Sequence, residues 1–327
     1  MNERNLNIDA LRAFGLLMVV LGHTVGVPSH IRVIIYSFHM PLFFILSGYL
    51  WTDMNIRKFS FSDFIKKKFK SLIIPYFKIG FICLFIWGVI YPLLFCNNYY
   101  YGDFASDIAK YVFGICYSIG TTEYVPHCSP IWFLTSLFCA NMLFFMYRKL
   151  GIMMWLLPFI FMIGYFFTIS KFPLPWNIGS GFIGSGFIWI GYLIQKYSIK
   201  ITIMRGIALF VIMSLTIYVF GIPVNDMDSN KYSNYISFIV VAIILCLFLV
   251  DFFGRIHVRS QSYKVIITYI TANSIVVFGY NYTMNEIVHL FCNTLLGNWL
   301  PSYVLTLLFL GLFILVINKL KIYKIFV

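Results

Sequence analysis

Apolar runs of similar length follow one another along most of this chain, separated by short polar segments. A helix that crosses the hydrocarbon of a bilayer needs about 20 mostly apolar residues. Ten such runs are legible: 11–27, 33–51, 72–95, 131–147, 151–169, 179–195, 201–222, 235–253, 265–290 and 302–318. The stretch 104–119 differs, because Asp107 and Lys110 stand among aromatics, as in an amphipathic helix lying in the interface. One local repeat stands out: Gly179-Ser180-Gly181-Phe182-Ile183 recurs at once as Gly184-Ser185-Gly186-Phe187-Ile188. Small residues let helices approach closely in lipid, so the repeat predicts tight packing. No strand precedes it, which sets aside a dinucleotide-binding loop. No larger repeat is visible, and the pattern predicts a single transmembrane domain over residues 1–327.

Composition sharpens this picture. The 327 residues are 61% hydrophobic and 11% charged, whereas a soluble domain carries about 25% charged residues. A water-soluble fold cannot hide so much apolar surface. Aromatics reach 20%, with 23 Tyr and 36 Phe, which suits bundle cores and interfacial belts. The fold class is therefore all-α, a polytopic helical bundle in the membrane.

Charge then orients the bundle. With the N-terminus in the cytoplasm, 17 of the 24 Lys and Arg fall in inner segments, among them Arg57, Lys58, Arg148, Lys149, Lys196 and Lys200. Four fall outside (Arg32, Lys110, Lys171 and Lys231), and Arg12, Lys78 and Arg205 fall within spans. Every inner segment is basic, so the positive-inside rule predicts an even number of spans with both termini cytoplasmic. The net charge of +13 is spread over short loops facing anionic lipid. It is not gathered on a hydrophilic domain, which argues against a nucleic-acid partner.

The seven cysteines form no CxxC pair and no Cys/His metal spacing, and no metal site is expected. Cys96, Cys128 and Cys292 stand near outer helix ends, where a disulfide is open but unsupported. The first apolar run lacks a small-residue cleavage site and leads directly into the second, so it reads as a span.

Ionisable groups inside the membrane are costly and are candidates for function. Arg12 and His23 lie 11 residues apart in the first span. That is three helical turns plus about 20°, so they share a face about 16 Å apart along the axis. Asp9, three residues before Arg12, can pair with it. A bland reading stands beside this one, in which Arg12 snorkels to the inner interface and His23 is a satisfied bundle histidine.

The neighbouring residues carry a resemblance. Ile8-Asp9-Ala10-Leu11-Arg12-Ala13 with Val19-Val20-Leu21-Gly22-His23 resembles the opening of the membrane acyltransferase-3 family, with its Arg-x10-His signature. Ser37-Phe38-His39-Met40-Pro41-Leu42-Phe43-Phe44-Ile45-Leu46-Ser47-Gly48 is similar to the family's second block and closest to its fucose 4-O-acetylase-like branch. Lys66-Lys67-Lys68-Phe69-Lys70-Ser71-Leu72-Ile73-Ile74-Pro75-Tyr76 and Pro130-Ile131-Trp132-Phe133-Leu134 resemble a third and a fourth. These blocks cover roughly residues 8–138; the remainder resembles the family in hydropathy and helix count. Two departures are plain. Lys67 and Lys70 replace arginines that are frequent in the third block, keeping charge but losing the bidentate fork. Tyr280 and Asn281 stand where relatives often show a histidine.

The resemblance implies an O-acyltransferase of the bacterial inner membrane. It uses an acyl-coenzyme A as co-substrate, usually acetyl-CoA, and holds no permanent cofactor. The acceptor it implies is a carbohydrate or glycolipid on the far side. Coenzyme A phosphates need cations, and Lys66, Lys67, Lys68 and Lys70 offer them at the inner mouth, with Lys67, Lys70 and Arg12 the chosen donor-binding set. A neutral His23 would take the proton of the attacking hydroxyl, and Arg12 is grouped with it. Asp9, His39, Ser47, Gly48, Glu123 and Trp132 are supporting or acceptor-binding candidates. His39 would orient His23 or the acceptor, and Ser47-Gly48 would mark close helix contact. Glu123, and Glu286 with His289, would contact sugar or assist proton transfer. The contrasting expectation is a non-enzymatic transporter or flippase for a glycan or small anion, although no paired broken spans support it.

Overall fold

Several spans begin where a polar side chain takes up free N–H groups of the helix start. The Asn5 side chain accepts from the backbone of Asn7 at 3.1 Å and opens α1 (Leu6–His23). After a short turn comes α2 (Ser29–Tyr49). Ser60 accepts from Asp63 N–H and opens the long α3 (Phe61–Leu94), which contains π-turns at Phe69–Ile73 and Leu84–Ile90. Then follow α4 (Tyr101–Tyr117), α5 (Trp132–Lys149), α6 (Leu157–Ile169), α7 (Ile178–Lys196) and α8 (Ile203–Phe220). A two-rung hairpin comes next, β1 (Asn225–Asp226) and β2 (Lys231–Tyr232), antiparallel with Asn225 opposite Tyr232. The chain continues through α9 (Tyr235–Arg255), α10 (Gln261–Ala272), α11 (Ser274–Cys292) and α12 (Trp299–Lys319). This computed structural model describes all residues except 1–4, 96–100, 122, 153, 170–173, 257–259 and 293–297. Arg4 and Arg259, two of the 17 inner cations, lie outside the described residues, as do Lys171, Cys96 and the side chain of Cys292.

All ten apolar runs fall on helices, and among the described residues eight helices are long and apolar enough to cross a membrane. Two runs depart from a simple span. The run at 151–169 holds a helix of 13 residues, α6, about 20 Å long at 1.5 Å per residue. That is short of the roughly 30 Å hydrocarbon layer. Pro158 sits in its first turn, where a missing N–H costs nothing. The run at 265–290 is bent by 76° between α10 and α11. Asn273 sits at the break: its side chain donates to Tyr269 C=O at 2.8 Å and accepts from Asn318 at 3.2 Å, so the exposed backbone is satisfied internally. The amphipathic stretch is the helix α4, seated by Tyr76 donating to Ile115 C=O at 2.7 Å.

The core sits where α7 runs beside α2 and α5, and α1 closes it with α11. A Cβ at Gly48 of α2 would overlap the Ile188 carbonyl of α7, and a Cβ at Gly191 of α7 would overlap the Ile45 carbonyl of α2. The two glycines thus let the backbones touch in both directions, as the small-residue pattern predicts. Outward, α8 buries none of its residues, and Phe210, Leu215 and Tyr218 face away from the bundle. Lipid is the solvent for such a surface.

Helix ends that the charge rule assigns to one side meet one another. Asp53 pairs with Arg148 and Lys196, each at 3.2 Å, and accepts from the Tyr192 hydroxyl, so the short helical turn after α2 (Asp53–Lys58) joins the ends of α5 and α7. The Asn7 side chain donates to Gly254 C=O at 3.1 Å on that side. On the other, Asn225 donates to Tyr36 C=O at 2.9 Å and Thr283 to His127 C=O at 2.8 Å. Cys128 is a buried free thiol, so no disulfide runs through it.

Candidate active site

The face that joins Arg12 to His23 opens into two cavities, one toward each end of α1. The first, of about 350 Å³, is lined by Arg12, Ser47 and Lys68 among apolar side chains. The second, of about 210 Å³, is lined by His23, Tyr36, His39, Ser129, Trp132 and Asp228. Phe278 of α11 is part of both walls. Its ring lies 5.1 Å from Phe133 and 6.0 Å from Phe43, and those two rings lie 5.9 Å apart. Three aromatic side chains in mutual contact therefore stand where one cavity backs onto the other.

In the inner cleft the structure chooses among the lysines. Lys68 is half-buried, stands close to Arg12 and Lys67, and lines the cleft. Lys67 and Lys70 are exposed, and Lys67 lies over the Phe59 ring at 4.6 Å. The π-turn at Phe69–Ile73 begins just after Lys68. Such a turn shifts the helical phase, and π-bulges recur at functional sites. Ser47 donates to Asn141 Oδ1 at 3.1 Å, beside the close approach of α2 and α7 at Gly48. Asp9 is buried in the first turn of α1.

The outer cavity brings together His23, His39 and Trp132. His23 ends α1, and its ring centroid lies 6.1 Å from Tyr36 and 5.8 Å from Tyr282. No hydrogen bond holds the His23 ring among the described residues. His39 Nδ1 meets Ile35 C=O at 2.8 Å. A carbonyl can only accept, so Nδ1 carries the proton and Nε2 carries the lone pair. The hairpin roofs this cavity with Asp226 and Asp228. Burial lifts the Asp228 carboxyl well above the usual carboxylate range, and the charge of Asp226 adds to the effect. Asp228 Oδ1 is buried without a partner, a free acceptor at the cavity wall. A Cβ at Gly120 would overlap this carboxylate, so the glycine makes its position available.

Glu123 is not brought to either cavity: it pairs with Lys110 at 2.5 Å on an exposed surface. Glu286 faces His127 Nδ1 at 3.9 Å, rather than closing on His289 along its own helix. Burial pulls the His127 imidazole below its ordinary value, and the Glu286 carboxylate opposes that. The Trp87 ring packs tilted against His127 at 4.3 Å between centroids, and Tyr282 links this group to His23. Sequence reasoning missed Tyr36, Ser129, Asp228 and Phe278, and it named Lys68 among the cations of the inner mouth without choosing it for the donor-binding set. A polar island from Asn225 to Asn230 between two apolar runs was the visible sign of the hairpin.

A family model described as acyltransferase domain matches residues 5–318. No match was found among curated proteins or among solved structures. The match spans both cavities and nearly the whole chain, and this protein belongs to that family of membrane acyltransferases.

Proposed function

We propose that the chain moves an acetyl group from acetyl-coenzyme A to a hydroxyl of a cell-surface or lipid-linked glycan, in the bacterial cytoplasmic membrane. Its sequence blocks favour the fucose 4-O-acetylase-like branch. The observation that carries this reading is the pair of cavities on one face of α1, cations in one and two histidines in the other. Arg12 and Lys68 would hold the coenzyme phosphates at the cytoplasmic end. The pantetheine arm would pass the aromatic wall and present the thioester carbonyl to the outer cavity. There His23 takes the hydroxyl proton as the oxygen attacks the carbonyl carbon. The C–S bond then breaks, and the leaving thiolate takes up the proton. His39 Nε2 and the unpartnered Oδ1 of the Asp228 carboxyl supply further hydrogen-bonding positions for sugar hydroxyls. Membership of an acyltransferase family sets the transporter reading aside.

The test is release of free coenzyme A from acetyl-CoA by purified protein, with and without glycan acceptor. Release should depend on acceptor. In His23→Ala it should fall by about 10²- to 10⁴-fold, while insertion and donor binding persist. Near-normal transfer by a correctly inserted His23→Ala variant rules out His23 as the base.

A further inference from the structure

Two more cavities adjoin the one that holds His23, and they follow one another around the hairpin. The nearer, of about 530 Å³, shares Tyr36, Asn225 and Asp226 with the His23 cavity and adds Arg32 and Lys231. The farther, of about 670 Å³, shares Tyr232 and Ser233 with it. This last cavity is an apolar groove between α6 and α9, walled by Leu157, Phe161, Met162, Ile239, Val240 and Ile243. From Tyr235 to Ile243 it runs about 12 Å along α9, at 1.5 Å per residue. Met162 and Ile236 are exposed on this flank of the bundle, the side that meets lipid.

The middle cavity is cationic. Arg32 gives one Nη2 contact to Thr24 C=O at 3.4 Å, and its Nε is buried without a partner. Lys231 is exposed, and among the described residues no ion pair engages it. Asp226 stands opposite Lys231 in the hairpin, but its carboxylate is taken up by Asp228 N–H at 3.1 Å and the Ser229 hydroxyl at 2.7 Å. Two cations with free donors therefore lie between an apolar groove and a polar cavity. Arg and Lys donors lining one cavity suit a phosphate. A water-soluble glycan would need no groove open to hydrocarbon beside its site.

We infer that the three cavities form one binding site for a glycan carried on a single-chain lipid phosphate. The hydrocarbon tail occupies the α6–α9 groove, the phosphate sits between Arg32 and Lys231, and the sugar reaches the His23 cavity. This rests on the acyl-transfer reading only for the fate of the sugar. The tail and phosphate positions stand on geometry and charge.

The experiment is binding without turnover. Purified protein in neutral detergent is titrated with farnesyl phosphate and with farnesol, read by native mass spectrometry, and then challenged with phosphatidylglycerol. Farnesyl phosphate should bind at least about 10-fold tighter than farnesol, the effect expected of charge-assisted contacts. Arg32→Gln with Lys231→Gln should erase that preference and leave farnesol binding as it was. Ile239→Trp should weaken both ligands by filling the groove. His23→Ala should bind farnesyl phosphate like the unaltered chain, so a failure of the catalytic reading leaves this result standing. Equal affinity for the two probes overturns the inference, as does an unchanged preference in the double variant. Competition by phosphatidylglycerol as strong as that of farnesyl phosphate also overturns it, because the groove is then an ordinary lipid site.

Discussion

The rings of Phe133 and Phe278 lie 5.1 Å apart where the Arg12 cleft and the His23 cavity back onto each other. An acyl group drawn from one side and delivered to the other must pass beside them. On the proposed reading these rings would hold the thioester on the inner side until an acceptor is bound, away from water in the outer cavity. Phe278→Ala should therefore raise acetyl-CoA hydrolysis without acceptor several-fold and lower the fraction of turnovers that reach glycan. Phe278→Leu keeps most of the bulk and should stay coupled. Coenzyme A release measured beside acetylated product decides this, and tight coupling in a folded Phe278→Ala variant would sink the idea.

The donor site makes a prediction that separates one lysine from its neighbours. Lys68 shares the cleft with Arg12, while Lys67 and Lys70 are exposed. A charge-assisted contact removed from a partly enclosed site costs about 10-fold or more in affinity. Lys68→Ala should raise the KM for acetyl-CoA by about that factor and leave kcat near its original value. Exposed Lys67→Ala and Lys70→Ala should shift KM by less than about 3-fold, in keeping with screened surface charge. Initial rates across acetyl-CoA concentrations give the answer, and the reverse order would return the phosphates to Lys67 and Lys70.

The same lysines show what the sequence could and could not tell. The bundle was legible because lipid forces about 20 apolar residues onto each span and collects basic residues on one side. The shared face of Arg12 and His23 was legible because α1 is regular. Beyond Lys68 the π-turn alters the helical phase, so an α-helical wheel misplaces whatever follows. Asp228 and Phe278 were illegible for another reason. Their roles arise from contacts between segments more than 100 residues apart in sequence, and no local pattern encodes those. The bend at Asn273 likewise depends on Asn318.

At the crossing of α2 and α7, Gly48→Ala places a methyl group onto the Ile188 carbonyl. Backbone cannot yield as a side chain can, so the helices must separate. Overpacking of this kind costs about 1–3 kcal/mol or more, and here it shifts both cavities, since Ser47 lines one and His39 the other. Gly48→Ala should lower the yield of monodisperse protein and reduce the thermal midpoint by several degrees. Gly254→Ala, where a Cβ meets nothing, serves as the control and should behave as the unaltered chain. Equal midpoints for the two variants would mean that the crossing is looser than its geometry.

Asp53 ties the end of α2 to α5 and α7, and its carboxyl should register in the pH dependence of stability. The hydrogen bond from Tyr192, followed by Lys196 and Arg148, holds its pKa below the ordinary carboxylate value, although burial pushes the other way. A depressed folded-state pKa means that the folded protein favours the ionised form. The resulting stabilisation is fully present above the unfolded value of about 3.9 and is lost as pH falls through the lower folded value. The Asp53 side chain is 46% exposed, so screening limits the contribution to about 1 kcal/mol. Asp53→Asn should then lower the thermal midpoint in detergent by about 2 °C at pH 7. The gap should close as pH drops below about 4. Fluorescence-detected unfolding of both proteins from pH 7 to pH 3 measures it, and a gap that stays constant over that range would show that the Asp53 charge contributes nothing.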